Sequence, residues 1–202
     1  ESKQVFNDLI AYKLTGSYSF MNSYEYLPLK QYFEPFMNYA NEVFVDAGGF
    51  TGDTTEEFCR LYPDYAHVYL IEPSKSNMIA AKARLKTHKN ITFIEKGVSD
   101  KTEVLRFSSD SGSASQVSEK GDVVIDVAPI DNLIGERVTF IKMDLEGWEL
   151  NALKGVKNHI LNDHPKLAIA AYHKADDFWK IYQFITNIRS DYQIYLRHYT
   201  EG

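Results

Sequence analysis

The segment that most restricts the fold is Val43-Phe44-Val45-Asp46-Ala47-Gly48-Gly49-Phe50-Thr51-Gly52-Asp53-Thr54-Thr55. It opens on β-branched and aromatic residues, as a buried strand does, then turns through three glycines. Asp53 follows as an expected helix N-cap, with Glu56 placed for a capping box. A strand, a glycine turn and a helix N-terminus together form the ligand-binding corner of open α/β sheets.

The flanking chain keeps the same rhythm. Strands are expected at 43–46, 67–72 and 91–95, with helices at 54–61 and 75–86 between and after them. Such units argue for a parallel, doubly wound sheet. Strands at 103–107 and 122–127 read as an antiparallel excursion around a serine-rich loop at 108–116. The parallel pattern resumes with strand 138–144, helix 148–160, strand 167–172 and helix 176–188, and 192–199 reads as a closing strand. Residues 1–40 form an expected helical N-terminal cap, with Val5, Leu9 and Tyr12 in one helix and Tyr32, Phe33, Phe36 and Tyr39 in another. The main domain is then 41–202.

Composition narrows the function classes. A net charge of −6 over 202 residues leaves no basic footprint for nucleic acid. No apolar stretch is long enough to span a bilayer and no signal peptide is visible, so a cytoplasmic location is expected. The chain starts at Glu1 rather than Met and ends at Gly202, as a piece of a longer polypeptide does. Cys59 is the single cysteine, which excludes an internal disulfide and a thiolate metal cluster. Oligomeric state is not encoded in any feature of the sequence.

Ligands of open α/β sheets bind at the carboxyl ends of the strands. Asp46, Glu72, residues 97–100, Asp144 with Glu146, and His173 occupy those ends. Glu72, 20 residues after Gly52, is placed to accept hydrogen bonds from a ribose diol. The glycines at 48, 49 and 52 do not follow the dinucleotide spacing, and Asp46 would set negative charge against a pyrophosphate. No Gly-Lys-Ser/Thr follows, which excludes a P-loop. S-adenosylmethionine carries an ammonium, a carboxylate and a sulfonium but no phosphate, so it is the expected cofactor, with Asp46 at its amino-acid end. A nicotinamide-dependent oxidoreductase and a non-catalytic cofactor-binding module are the competing readings.

Two motifs carry a family resemblance. Asp46-Ala47-Gly48-Gly49-Phe50-Thr51-Gly52-Asp53-Thr54, together with Ile141-Lys142-Met143-Asp144-Leu145-Glu146-Gly147-Trp148-Glu149 and then Leu153-Lys154-Gly155, resembles the FkbM family of methyltransferases. The likeness covers about residues 41–200. It implies a Rossmann-like class I methyltransferase fold and O-methylation of a hydroxyl on a sugar or other small natural product. It also implies that Asp46, Gly48 and Gly52 contact the methionine portion, Glu72 the ribose, and Ser99 with Asp100 the adenine end. Gly49, Thr54, Ser74 and Asp144 are placed on the same cofactor edge. Family members usually continue into a further strand, so a truncated or partly disordered C-terminus is expected here.

The acceptor side is assigned to Lys142, Asp144 and Glu146, which share one face of an extended segment. His173 is the expected general base because imidazole titrates near neutrality, with Glu146 second. No metal is assigned. A magnesium site made by Asp144, Glu146 and His173 is the lesser alternative. Arg197 and His198 either border the acceptor pocket or, for Arg197, form a surface ion pair.

Overall fold

Alternating strand and helix segments give, in chain order, α1 (Ser2–Thr15), β1 (Val43–Ala47), α2 (Asp53–Leu61), β2 (His67–Ile71) and α3 (Lys75–Arg84). β3 (Ile91–Ile94), β4 (Gly97–Val98), β5 (Glu103–Phe107), β6 (Val123–Ala128) and α4 (Ile130–Leu133) come next. β7 (Phe140–Met143), α5 (Glu149–Lys154), α6 (Lys157–Asp163), β8 (Lys166–Ile169) and α7 (Asp177–Ile188) complete the order. The computed structural model describes residues 1–20, 27, 31–107 and 123–199. The serine-rich segment 108–116 lies outside the described residues.

The chain divides into two units, Tyr39–Ser190 and a smaller one made of Glu1–Asn38 with Asp191–Gly202. In the larger unit a five-stranded sheet runs β3-β2-β1-β7-β8, and every pair in it is parallel. A second sheet, β4-β6-β5, supplies the expected antiparallel pair, β5 with β6. This is the doubly wound, mostly parallel arrangement with flanking helices that the sequence pattern implies.

β1 is central and every one of its residues is buried, as a strand covered on both faces must be. On one face Phe44 stacks on Phe140, ring centroids 4.7 Å apart, and meets Phe58 of α2 at 4.3 Å. Further along the sheet Leu70 joins Met78, Ala81 and Leu85 of the α3 region. The order reverses at β1, since β2 follows on one side and β7 lies on the other. In open α/β sheets ligands bind at such a reversal, which here falls at the carboxyl ends of β1 and β7.

The smaller unit holds α1, closed by Gly16 in the left-handed conformation at φ 66°. Within it Arg197 pairs with Glu34 at 3.3 Å and Glu1 at 3.4 Å and lies over the Phe36 ring, which is the ion-pair reading of this residue.

Four local expectations are corrected. Residues 32–39 form no helix, because Pro35 lacks the amide an interior turn needs. Residues 192–199 form no strand; the Leu196 amide is taken by the Ser2 hydroxyl at 3.2 Å instead of a neighbouring strand. The helix expected over 148–160 is broken at Gly155, where a Cβ would stand 2.0 Å from the Ser99 carbonyl oxygen. Gly52, not Asp53, caps α2, and the expected capping box is absent because Glu56 turns to Arg84 at 2.9 Å.

Candidate functional site

The β1–α2 turn is built by close backbone approach. The Gly48 and Gly49 amides both donate to the Ile71 carbonyl at 3.0 Å, tying the turn to the end of β2. Gly48 sits at φ 77°, and a Cβ there would stand 2.0 Å from the Asp144 carbonyl oxygen. A Cβ at Gly49 would lie 2.5 Å from the Leu70 side chain. No larger residue fits either position, so this turn and the end of β7 share one wall.

Asp46 occupies that wall but does not face outward. It is 0% exposed; its Oδ2 accepts from Thr55 at 2.7 Å and its Oδ1 pairs with Lys142 Nζ at 3.0 Å. The Lys142 ammonium also donates to the Gly48 carbonyl at 2.8 Å. Both residues therefore differ from expectation. Asp46 faces Thr55 and Lys142 rather than the outer edge, and Lys142 is buried on Asp46 and the Gly48 carbonyl. The cause is register: Asp46 is aligned with Lys142 across the β1–β7 pair.

Glu72 behaves as a receiver at the end of β2. Its Oε2 accepts from the Phe50 amide at 3.1 Å, and Oε1 accepts from the Ser74 amide at 2.9 Å and the Asn77 side chain at 3.3 Å. Burial raises its pKa against the lowering effect of those donors. The arrangement holds Phe50 in a left-handed conformation at φ 44°. Ser74 caps α3 by accepting from the Asn77 amide at 3.4 Å. Thr54 lies in the first turn of α2, before the first helical bond from Glu56 to Gly52.

Ser99 and Asp100 follow β4. Ser99 is fully buried, donates to the Asp100 carboxylate at 3.2 Å and accepts from the Trp148 indole at 3.3 Å. Asp100 itself is exposed.

Beyond β7 the chain gathers a second group of charges. Glu146 adopts φ 52° and Gly147 φ 90°, so the extended segment ends at Met143 and the alternation expected for Lys142, Asp144 and Glu146 breaks down. Asp144 and Glu146 nevertheless converge on His173. His173 Nε2 stands 3.5 Å from Asp144 Oδ1 and 3.3 Å from Glu146 Oε2, and its Nδ1 stands 3.1 Å from Glu149 Oε1. Tyr172 donates to both Asp144 oxygens, at 3.2 and 3.3 Å.

Electrostatics set the proton inventory there. Burial lowers the His173 pKa, but Glu149, Asp144 and Glu146 outweigh it and leave it raised. Burial raises Glu149, yet His173 and the Leu145 amide outweigh that and leave it lowered. Burial leaves Glu146 raised in spite of the neighbouring imidazole. His173 thus keeps its proton to higher pH than a free imidazole, which suits an unaided base poorly. Glu149 was not singled out from sequence. Its signal was a glutamate at the start of a helix, and it accepts from the Leu145 amide at 2.7 Å and the Gly147 amide at 3.3 Å.

Comparison with known proteins places the chain among methyltransferases. Residues 8–194 match the methyltransferase FkbM domain. The chain is similar to the methyltransferase FkbM of Methylobacillus flagellatus KT, with 31% identity and a TM-score of 0.82 over 96% of this chain and 50% of that one. It therefore spans half the length of that protein. More distant likenesses include a precorrin-6y C5,15-methyltransferase of Geobacter metallireducens GS-15 (15% identity, TM-score 0.47, covering 75% of this chain and 64% of that one). A SAM-dependent methyltransferase of Aquifex aeolicus is 14% identical, with a TM-score of 0.45 over 81% of this chain and 83% of that one. No curated protein matches the sequence. Among the described residues, no helix is long and apolar enough to cross a membrane.

Proposed function

Because the chain belongs to the FkbM methyltransferase family, we propose that it methylates a hydroxyl on a sugar or other small natural product. Its methyl donor is S-adenosylmethionine, which presents an electrophilic methyl group on a sulfonium sulfur. The residues of the turn fit that ligand. Gly48 and Gly49 bring the backbone of the turn against the Asp144 carbonyl and the Leu70 side chain, and the amides of the first turn of α2 precede any helical partner and favour a carboxylate. Glu72 accepts three donors already, and a carboxylate has room for one more, which a ribose hydroxyl supplies.

Each remaining residue has a supporting task. Asp46 holds the Lys142 ammonium, which donates to the Gly48 carbonyl and so fixes the shape of the turn. Ser99 and Asp100 line the adenine end, and Ser74 and Thr54 close the edges. The Asp144 carbonyl lies against Gly48, which supports a position for the Asp144, Glu146 and His173 cluster beside the methyl donor. The acceptor hydroxyl is held at that cluster and loses its proton there. Its oxygen then forms the new bond to the methyl carbon. Holding both reactants in line accounts for roughly 7–11 kcal/mol of the barrier, and proton removal for about 10²–10⁴-fold in rate.

The observation that carries this reading is the common wall, the 2.0 Å approach of a Gly48 Cβ to the Asp144 carbonyl. Calorimetry with S-adenosylhomocysteine and with NAD(P) tests the donor, and a panel of hydroxylated acceptors tests the transfer. Binding of S-adenosylhomocysteine and formation of a methyl ether are expected. Binding of a dinucleotide instead would sink the reading.

A further inference from the structure

Asp144, Glu146 and His173 each offer one donor atom, and those atoms all lie within 4.8 Å of one another. Acidic groups near a histidine are common without any ion, so the cluster alone decides nothing. Two independent features of His173 decide it. The side chain is only 10% exposed, yet its Nε2 makes no hydrogen bond of acceptable geometry. A buried polar group left that way is costly. Its Nε2 is directed between Asp144 and Glu146 and bonds to neither, as a metal ligand's nitrogen is before the ion arrives.

The second feature is the outer layer. A histidine that ligates a metal characteristically turns its other nitrogen toward a carboxylate, which fixes the ring and raises its basicity. His173 turns Nδ1 toward Glu149 Oε1 at 3.1 Å. Glu149 is completely buried and anchored by the Leu145 and Gly147 amides. Asp144 is oriented in turn by the Tyr172 hydroxyl. A half-exposed Glu146, on a left-handed backbone, leaves the remaining side open to solvent and to an acceptor.

We propose that Asp144, Glu146 and His173 bind a divalent cation of the Mn²⁺ type that holds the acceptor hydroxyl. One imidazole nitrogen and two carboxylate oxygens suit manganese better than magnesium, which favours an all-oxygen shell. Three protein ligands leave open positions for water and a hydroxyl. Coordination lowers the hydroxyl pKa as it does that of water. The O–H bond then breaks with its proton passing to bulk water, the oxygen forms the C–O bond, and sulfur keeps the electrons of its broken bond. Lys174 stands nearby with its ammonium on the Gly147 carbonyl, which leaves the carboxylates to the ion.

The inference rests on the methyltransferase reading only for the step, not for the site. The chain is stripped with a chelator and titrated with MnCl₂, with the free ion read by electron paramagnetic resonance. One bound Mn²⁺ is expected. Glu146→Gln and His173→Gln should each weaken it at least about tenfold, and Glu149→Gln, outside the ligand set, by about 10–100-fold. Glu146 is exposed, so its variant folds even where a His173 variant does not. Absence of binding by the intact chain, or unchanged binding in Glu146→Gln, would overturn the site. S-adenosylhomocysteine binding measured on the same samples separates the two ideas. If it binds while Mn²⁺ does not, the metal site falls and the donor reading stands; if Mn²⁺ binds while it does not, the site stands and the donor reading falls.

Discussion

Two carboxylate sites lie side by side at the end of the sheet, and they are built on opposite principles. At the end of β1, one aspartate meets one lysine with both side chains sealed from water. At the end of β7, three carboxylates converge on one imidazole at 3.1 to 3.5 Å, with Glu146 still 49% exposed. The first is neutral, hydrogen-bonded and closed. The second carries surplus negative charge on an open edge. A balanced buried pair fixes a shape, whereas an unbalanced open one is prepared for something that arrives.

The largest effect should come from unbalancing the closed pair. Lys142→Met leaves Asp46 buried without its cation, and breaking such a pair costs about 3–5 kcal/mol. Urea denaturation should show that loss. Lys142→Met combined with Asp46→Asn should recover a substantial part of it, because the cost lies in the stranded charge rather than in the missing bond. If the single variant were as stable as the parent, the pair would be ornamental and the contrast between the two sites would collapse.

A middle-sized effect is expected where the open site touches its buried support. Glu149→Gln removes a charge that His173 and the Leu145 amide both use, at a cost of about 1–3 kcal/mol. Its pH dependence has a definite sign. Glu149 is lowered by folding, so its share is present above the ordinary carboxylate pKa and is lost as pH falls through the lowered value. His173 is raised, so its share is present below the ordinary imidazole pKa and is lost as pH rises through the raised value. The stability gap between parent and variant should therefore be widest in the window between. A gap independent of pH would show that Glu149 acts by packing alone.

The sequence disclosed these two sites unequally. The β1 strand, the glycine turn and the succession of parallel units were legible, since period and turn chemistry are local. The convergence of Asp144, Glu146 and His173 was legible too, because all three follow neighbouring parallel strands, although β7 ends at Met143 and β8 at Ile169. What could not be read was occupation. Asp46 looked like a ligand contact, but its partner is 96 positions away and enters only through the β1–β7 register. The pairing also removes the charge argument that set Asp46 against a pyrophosphate, so the donor assignment rests on the family instead. The break at Gly155 was hidden for the same reason, since the Ser99 carbonyl that forces it comes from a distant segment.

The smallest effect on stability belongs to Glu146, and it sharpens the comparison most. The side chain is half in solvent and approaches His173 at 3.3 Å. Glu146→Gln should therefore change unfolding free energy by no more than about 0.5 kcal/mol. Its effect on turnover should be far larger, about 10²–10⁴-fold, because the carboxylate belongs to the cluster at which the acceptor hydroxyl loses its proton. Lys142 should invert that ratio, because its ammonium is buried on Asp46 and the Gly48 carbonyl. Parallel measurement of unfolding and of methyl transfer in the two variants would separate the roles. Equal losses in both quantities for Glu146→Gln would mean that the open cluster is scaffold, built like its sealed neighbour.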